Sequence, residues 1–85
     1  MQKQIKFTTH SLDRISKRGT SKEEIIQAIL NGKREPAKDN KIMCRLNFPY
    51  NQIWIDSNYT IKQVAPVFVE EENEIIVITV YTYFF

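Results

Sequence analysis

The spacing of apolar residues changes at Lys33, and this change constrains the fold more than any other feature of the sequence. Between Thr8 and Gly32 the apolar residues recur at the spacing of helices, and beyond Lys33 they alternate with polar residues as strands require. Helices followed by a run of strands indicate an α+β domain, in which both helices pack against one face of an antiparallel sheet. The other face of the sheet is then partly exposed and can form a concave ligand surface.

Two helices are predicted before the change of spacing. Thr8 or Thr9 can cap the first helix, and Gly19 can close it in a left-handed conformation after about ten residues. The second helix begins with the capping-box spacing of Ser21 to Glu24 and ends at Asn31-Gly32. Its apolar stripe consists of Ile25, Ile26, Ile29 and Leu30.

Strands are predicted on both sides of the helices. Residues 2–7 form a short strand with Ile5 and Phe7 on one face, and an irregular or edge segment surrounds Pro36. Pro66 cannot donate to a neighbouring strand, so its strand is expected at a sheet edge or at a bulge. The sequence predicts an N-terminal strand, two helices and about four antiparallel strands. These four are Ile42 to Phe48, Ile53 to Ile55, Tyr59 to Val69 and Glu74 to Phe84, with turns at Pro49 to Asn51 and Glu71 to Asn73.

Length and composition indicate one small domain. The 85 residues, of which 42% are hydrophobic, suffice for a single domain over residues 1–85 with a modest core. One cysteine, Cys44, and one histidine exclude an intramolecular disulfide and a closed zinc site of the Cys/His type. No targeting segment and no apolar stretch of membrane-spanning length is found. We therefore expect a cytoplasmic protein with no membrane partner.

Charge is distributed unequally along the chain, although the net charge is only +2. Residues 1–45 contain eleven basic and five acidic side chains, a net +6, whereas residues 46–85 contain one and five, a net −4. A basic half can be the electrostatic footprint of a polyanionic ligand, whereas the acidic cluster of Glu70, Glu71, Glu72 and Glu74 can simply solvate a turn.

Three residues of the first predicted helix could carry chemistry. His10, Arg14 and Arg18 recur every four residues and therefore share one face of the helix. An imidazole can transfer a proton near neutral pH, and a guanidinium suits a phosphate. Together they are the minimum apparatus for cleaving RNA by attack of its own 2′-hydroxyl, a reaction that needs no metal or other cofactor. The same spacing also fits an ordinary solvated basic face.

Aromatic and basic residues elsewhere could support this chemistry. Tyr81 and Tyr83 alternate on one face of the last predicted strand, where either could supply a second proton or orient the substrate. The predicted substrate-binding residues are Lys17, Arg45, Trp54 and Tyr59, of which the two aromatic ones could stack on exposed bases. Aromatic residues are also simply good strand formers, so packing is the alternative role.

The segment from Phe7 to Ile25, continuing from Ala28 to Lys33, resembles a family of small, mostly uncharacterised bacterial domains. Those domains open with His-x3-Arg-x3-Arg-Gly, continue with a Ser/Thr-x-x-Glu helix that ends in Asn-Gly, and finish with strands like Ile75 to Tyr83. The family is similar to the RelE, ParE and BrnT toxins of bacterial toxin–antitoxin systems, within the barnase, colicin and RelE group of metal-independent ribonucleases.

The resemblance implies a RelE-like fold and the activity of a toxin-like endoribonuclease. His10, Arg14 and Arg18 match the family's opening motif and are the active-site residues that it implies. RNA and a cognate antitoxin protein are the implied partners. Two alternatives stay open: a non-catalytic, ParE-like toxin that binds a protein target, and an accessory interaction domain that is harmless by itself.

Overall fold

A five-stranded mixed sheet carries two helices in residues 3–85, which are the residues that the computed structural model describes. The elements are β1 (Gln4–Phe7), α1 (Thr9–Lys17), α2 (Lys22–Asn31), β2 (Lys33–Pro36), a 3₁₀ turn (Lys38–Asn40), β3 (Ile42–Trp54), β4 (Ser57–Glu70) and β5 (Glu74–Phe84). The strand order is β1-β5-β4-β3-β2, in which β1 is parallel to β5 and all other neighbours are antiparallel. The predicted α+β class is confirmed.

The sheet differs in detail from the four antiparallel strands that were predicted. β1 joins the sheet as a fifth strand, parallel to β5, and Gln2, its predicted start, lies outside the described residues. The turn predicted at Pro49 to Asn51 is wrong, because Pro49 stays paired with Ile61 and the register merely shifts between Pro49 and Gln52. The two short strands predicted on either side are therefore one strand, β3, and the chain reverses after Trp54.

Local capping signals determine where both helices begin. The Thr8 hydroxyl accepts from the Ser11 amide at 3.1 Å, and the Ser21 hydroxyl accepts from the Glu24 amide at 3.2 Å. Gly19 adopts the predicted left-handed conformation, with φ +70°. These predictions are confirmed because each depends only on residues within one helical turn.

Pro66 lies in β4, the central strand, and not at an edge of the sheet. It pairs with Val80 and is fully buried, one residue before the register shift between Val67 and Phe68. An irregularity in the ladder accommodates a residue that cannot donate a hydrogen bond. The predicted edge position is wrong, and Pro66 itself is paired in register, next to the irregularity of β4 and not within it.

The hydrophobic core lies between the helices and the sheet. Its buried members are Ile25, Ala28, Cys44, Val64, Phe68, Ile75, Val77 and Val80. Ile25 of the predicted helix stripe is fully buried, whereas Leu30 is exposed. Cys44 is a packed core residue, and its burial raises the pKa of the thiol. The thiol therefore stays protonated at neutral pH.

The side of the sheet turned away from the helices is named the open face here. Thr82 of β5 donates to the Arg18 carbonyl at the end of α1, so residues 79, 81 and 83 of the same strand face the other way. In register with them on β4 are Val67, Ala65 and Gln63, respectively. The β3 residues on this face are Met43, Arg45 and Asn47. No helix within residues 3–85 combines the length and hydrophobicity of a membrane span.

Candidate functional site

α1 is attached to β5 at both ends, and this places the helix along the edge of β5. At the start of α1, the Thr8 amide donates to the Val77 carbonyl at 3.2 Å and the Thr8 hydroxyl donates to the Ile78 carbonyl at 3.3 Å. At its end, Thr82 donates to the Arg18 carbonyl at 2.6 Å. β1 pairs only with residues 74–77, so the part of β5 beside α1 is not covered by β1.

His10 and Arg18 both contact β5 at this uncovered edge. The His10 Nε2 atom lies 3.3 Å from the Thr79 hydroxyl oxygen, and the Arg18 guanidinium carbon lies 5.5 Å from the centre of the Tyr81 ring. Thr79 and Tyr81 are two residues apart on one face of β5. An imidazole, a guanidinium and a phenol therefore lie side by side. Thr79 also belongs to this site, although neither the helical spacing of α1 nor the alternation of tyrosines in β5 identified it.

Arg14 and Lys17 are the two other basic residues of α1 that were predicted to belong to the site, and they differ in their surroundings. Arg14 is half-buried on the intervening turn of α1. Lys17 forms an ion pair with Asp13 at 3.1 Å, on an exposed part of the helix. Lys17 is therefore directed to a carboxylate of its own helix, as the solvated-face alternative expects.

Arg45 and Tyr83 form a second group on the open face. The Arg45 guanidinium carbon lies 5.6 Å from the centre of the Tyr83 ring. Arg45 also donates to Glu35 and to Gln63, each at 3.0 Å, and Gln63 donates to Asn47 at 2.9 Å. The hydrogen bond to Glu35 raises the pKa of Arg45, which favours the charged form of its guanidinium.

Trp54 and Tyr59 lie around Phe84 and not beside His10. The Trp54 ring stacks on Phe84 with a centroid distance of 4.9 Å, and the Tyr59 ring lies 5.8 Å from it at a tilt. Trp54 also covers Gly19 so closely that a Cβ atom there would be 2.6 Å from a ring carbon. These aromatic residues hold the end of α1 against the β3–β4 hairpin, which is a packing role.

A cleft of about 340 Å³ lies on the open face beside Thr79 and Tyr81. The segment 37–41, which is closed by a hydrogen bond of 2.8 Å from the Ala37 amide to the Lys41 carbonyl, forms one side of it. The lining residues are Ala37, Lys38, Asp39, Lys41, Met43, Val67, Ile78, Thr79 and Tyr81. From the sequence, the segment 37–41 could be predicted only as a polar, irregular run, because no local signal shows which strands such a run will cover.

The arrangement on the open face can support proton transfer next to a bound anion. Imidazole and phenol can accept or donate protons, and the guanidinium group of Arg18 can neutralise charge on phosphate oxygens. The charge of Arg45 is already paired with Glu35. Within residues 3–85, no three His, Cys, Asp or Glu side chains are grouped so that they could hold a metal ion.

Comparison with known proteins identifies the family of the chain. No curated protein and no solved structure matches it significantly. A family model described as a domain of unknown function matches residues 7–82, which include α1, α2 and most of β5. The predicted membership of an uncharacterised domain family is therefore confirmed, and the chain belongs to the family of domains of unknown function DUF4258.

Proposed function

We propose that this chain is a toxin-like, metal-independent endoribonuclease that cleaves RNA by attack of the 2′-hydroxyl on the adjacent phosphate. The observation that carries the proposal is the row of His10, Arg18 and Tyr81 at the edge of β5, with the imidazole fixed beside Thr79. The row supports the proposal because it brings together a group that can accept a proton, a cation that can bind phosphate and a group that can donate a proton.

In this mechanism His10 removes the proton of the 2′-hydroxyl as the new bond from that oxygen to phosphorus forms. Arg18 neutralises the charge that builds up on the non-bridging phosphate oxygens. Tyr81 donates a proton to the 5′-oxygen as its bond to phosphorus breaks. The products are a 2′,3′-cyclic phosphate and a free 5′-hydroxyl. Thr79 acts as a positioning residue, because its hydroxyl fixes the orientation of the imidazole ring.

The substrate path follows the open face from the edge of β5 toward β3. Arg14 supplies further positive charge on α1, and Tyr83 offers an aromatic ring on the open face of the sheet. Arg45 lies beside Tyr83, but its charge is paired with Glu35. Trp54, Tyr59 and Lys17 are less suited to bind RNA because each is engaged with a neighbour of its own. An antitoxin would inhibit the enzyme by covering this basic face with an acidic or hydrophobic segment.

The test is cleavage of an end-labelled RNA by purified parent and His10→Ala proteins, with a chelator present and the product ends identified. Loss of the proton-transfer group is expected to lower the rate by about 10²- to 10⁴-fold. Ser16→Ala is the matched control, since Ser16 is an exposed residue of the same helix. It is expected to cleave like the parent and to leave the same 2′,3′-cyclic phosphate ends.

Two results would count against this mechanism. Equal cleavage by His10→Ala and the parent excludes His10 as the proton-transfer group. If the parent leaves RNA intact both alone and with translating ribosomes, the chain is not a ribonuclease, and the second candidate function replaces the first.

The second candidate is a non-catalytic toxin or interaction domain that binds a protein target, and the β3–β4 hairpin favours it. Ile53 is 67% exposed and Ile55 is 79% exposed at the tip of this hairpin. Exposed apolar side chains that protrude from a small domain are typical of docking residues. On this reading, Ile55→Gly abolishes growth inhibition on overexpression, whereas His10→Ala retains it.

A further inference from the structure

The cleft on the open face adds a binding site to the row of His10, Arg18 and Tyr81. Its volume of about 340 Å³ lies at the lower end of the range of about 300–1,000 Å³ that is usual for small-molecule sites. One heterocyclic group of a larger ligand is therefore a suitable occupant. The lining residues and the neighbouring site indicate the chemistry of that group.

The floor of the cleft is apolar. Met43 of β3 pairs with Val67 of β4, and Ile78 lies at the register shift of β5. Tyr81 forms a wall of the cleft, and this residue is 36% exposed, so its ring is open to a ligand from the solvent side. A flat π-system gains both apolar burial and stacking in such surroundings, and the polarisable Met43 thioether adapts to its shape.

The mouth of the cleft is charged. Lys38 and Lys41 of the segment 37–41 line it and can bind the phosphates on either side of the occupying group. The Asp39 carboxylate can accept hydrogen bonds from N–H groups at the edge of a base. An apolar floor with polar groups at the rim is the usual design of a specific small-molecule site.

The cleft is continuous with the proposed catalytic row, because Thr79 and Tyr81 belong to both. We infer that the cleft binds one unstacked nucleobase of single-stranded RNA and thereby determines which phosphate lies between His10 and Arg18. This inference rests on the proposed function and deepens it, since it adds a base-binding site to the site of phosphate cleavage. Stacking on aromatic side chains is the common way in which proteins hold single-stranded bases.

The experiment measures binding without cleavage. A fluorescent single-stranded DNA oligonucleotide has no 2′-hydroxyl, and a base-free oligomer of equal length carries the same phosphates. Fluorescence anisotropy gives the dissociation constant of each for the parent protein. The base-bearing oligomer is expected to bind about 5- to 100-fold more tightly, which corresponds to the stacking of one base.

Variants then locate the base in the cleft. Ala37→Leu fills part of the cleft, and Met43→Ala removes part of its floor. Both are expected to bring the ratio of the two dissociation constants towards one, while affinity for the base-free oligomer stays unchanged. Asn73→Leu adds a leucine in an exposed turn away from the lining residues and is expected to keep the parental ratio.

The outcomes separate this inference from the function on which it rests. A parental ratio near one overturns the base site, and so does a ratio that Ala37→Leu and Met43→Ala leave intact. Cleavage that still depends on His10 would then keep the ribonuclease proposal. Failure of the parent to bind either oligomer, together with failure to cleave RNA, overturns both.

Discussion

Ile55 occupies a backbone conformation that its side chain disfavours. Its φ is +60° at the tip of the β3–β4 hairpin, and the side chain is 79% exposed. The left-handed region costs a residue with a Cβ atom about 1–2 kcal/mol, and exposure means that little burial offsets this cost. Strain retained at an exposed position is typical of a residue selected for binding rather than for stability.

Substitution of Ile55 by glycine is predicted to stabilise the protein. Glycine adopts positive φ without the Cβ clash, and after allowance for its greater freedom in the unfolded chain the net gain is about 0.5–1 kcal/mol. The melting temperature should rise by a few degrees, since 1 kcal/mol corresponds to about 4–8 °C in a domain of this size. Thermal unfolding followed by circular dichroism measures it.

Ile53→Gly is the matched control for this prediction. Ile53 is also exposed but lies in a paired strand position without positive φ. Glycine there should lower stability by about 0.5–1 kcal/mol. If Ile55→Gly also lowers the melting temperature, the positive φ is not a source of strain.

At the scale of elements, Lys62 of β4 joins the sheet to the connection between the two helices. Its Nζ atom donates to the Gly19 carbonyl at 2.9 Å and forms an ion pair with Glu24 at 2.8 Å. Lys62 is only 8% exposed. Glu24 accepts from Thr20 as well, so one buried ammonium and one carboxylate satisfy several polar groups of this connection.

Lys62→Met is predicted to lower the free energy of unfolding by about 1–3 kcal/mol. Methionine retains most of the apolar stem but leaves the Gly19 carbonyl and the Glu24 carboxylate with fewer partners. Lys6→Met is the control, because Lys6 pairs with Glu74 at an exposed site, where such a change is worth about 0.5 kcal/mol or less. Urea denaturation measures both, and equal effects would show that the Lys62 contacts add nothing.

The elements that could be predicted from the sequence are those with local causes. Thr8, Ser21 and Gly19 determine helix ends through contacts within a few residues. Pro49 and Pro66 could not be placed in the same way. Whether a proline interrupts a strand depends on the neighbouring strand, and here irregular pairing keeps both prolines inside the sheet.

The candidate site was predictable to the same extent. Helical spacing grouped His10 with Arg18, and strand alternation placed Tyr81 on the same face as Tyr83. Neither pattern shows that α1 and β5 lie side by side. The contact of His10 with Thr79 joins residues 69 positions apart, and it depends on how α1 packs against β5. The cleft could not be predicted either, because its lining comes from the segment 37–41 and from three different strands that only the folded chain brings together.

At the scale of the whole molecule, the unequal charge of the two halves is partly neutralised by folding. Acidic residues at the β4–β5 end pair with Lys3, which precedes β1, and with basic residues of β1 and β2, in the ion pairs Lys3–Glu70, Lys6–Glu74 and Arg34–Glu70. Around the cleft, by contrast, Arg18, Lys38 and Lys41 form no salt bridge within residues 3–85. These three cations are therefore available to bind a polyanion at the candidate site.

This distribution predicts how RNA binding depends on salt. Each phosphate neutralised on a single strand contributes about −0.7 to the slope of log K against log salt concentration, so three cations give a slope of about −2. Lys41→Gln should reduce the slope by about 0.7, because Lys41 lines the cleft. Lys6→Gln, which removes an equal charge from a side chain paired with Glu74, should leave it unchanged. Anisotropy titrations over a range of salt concentrations measure all three slopes. A change at Lys6 as large as that at Lys41 would mean that the whole basic half attracts RNA and that the cleft is not its specific site.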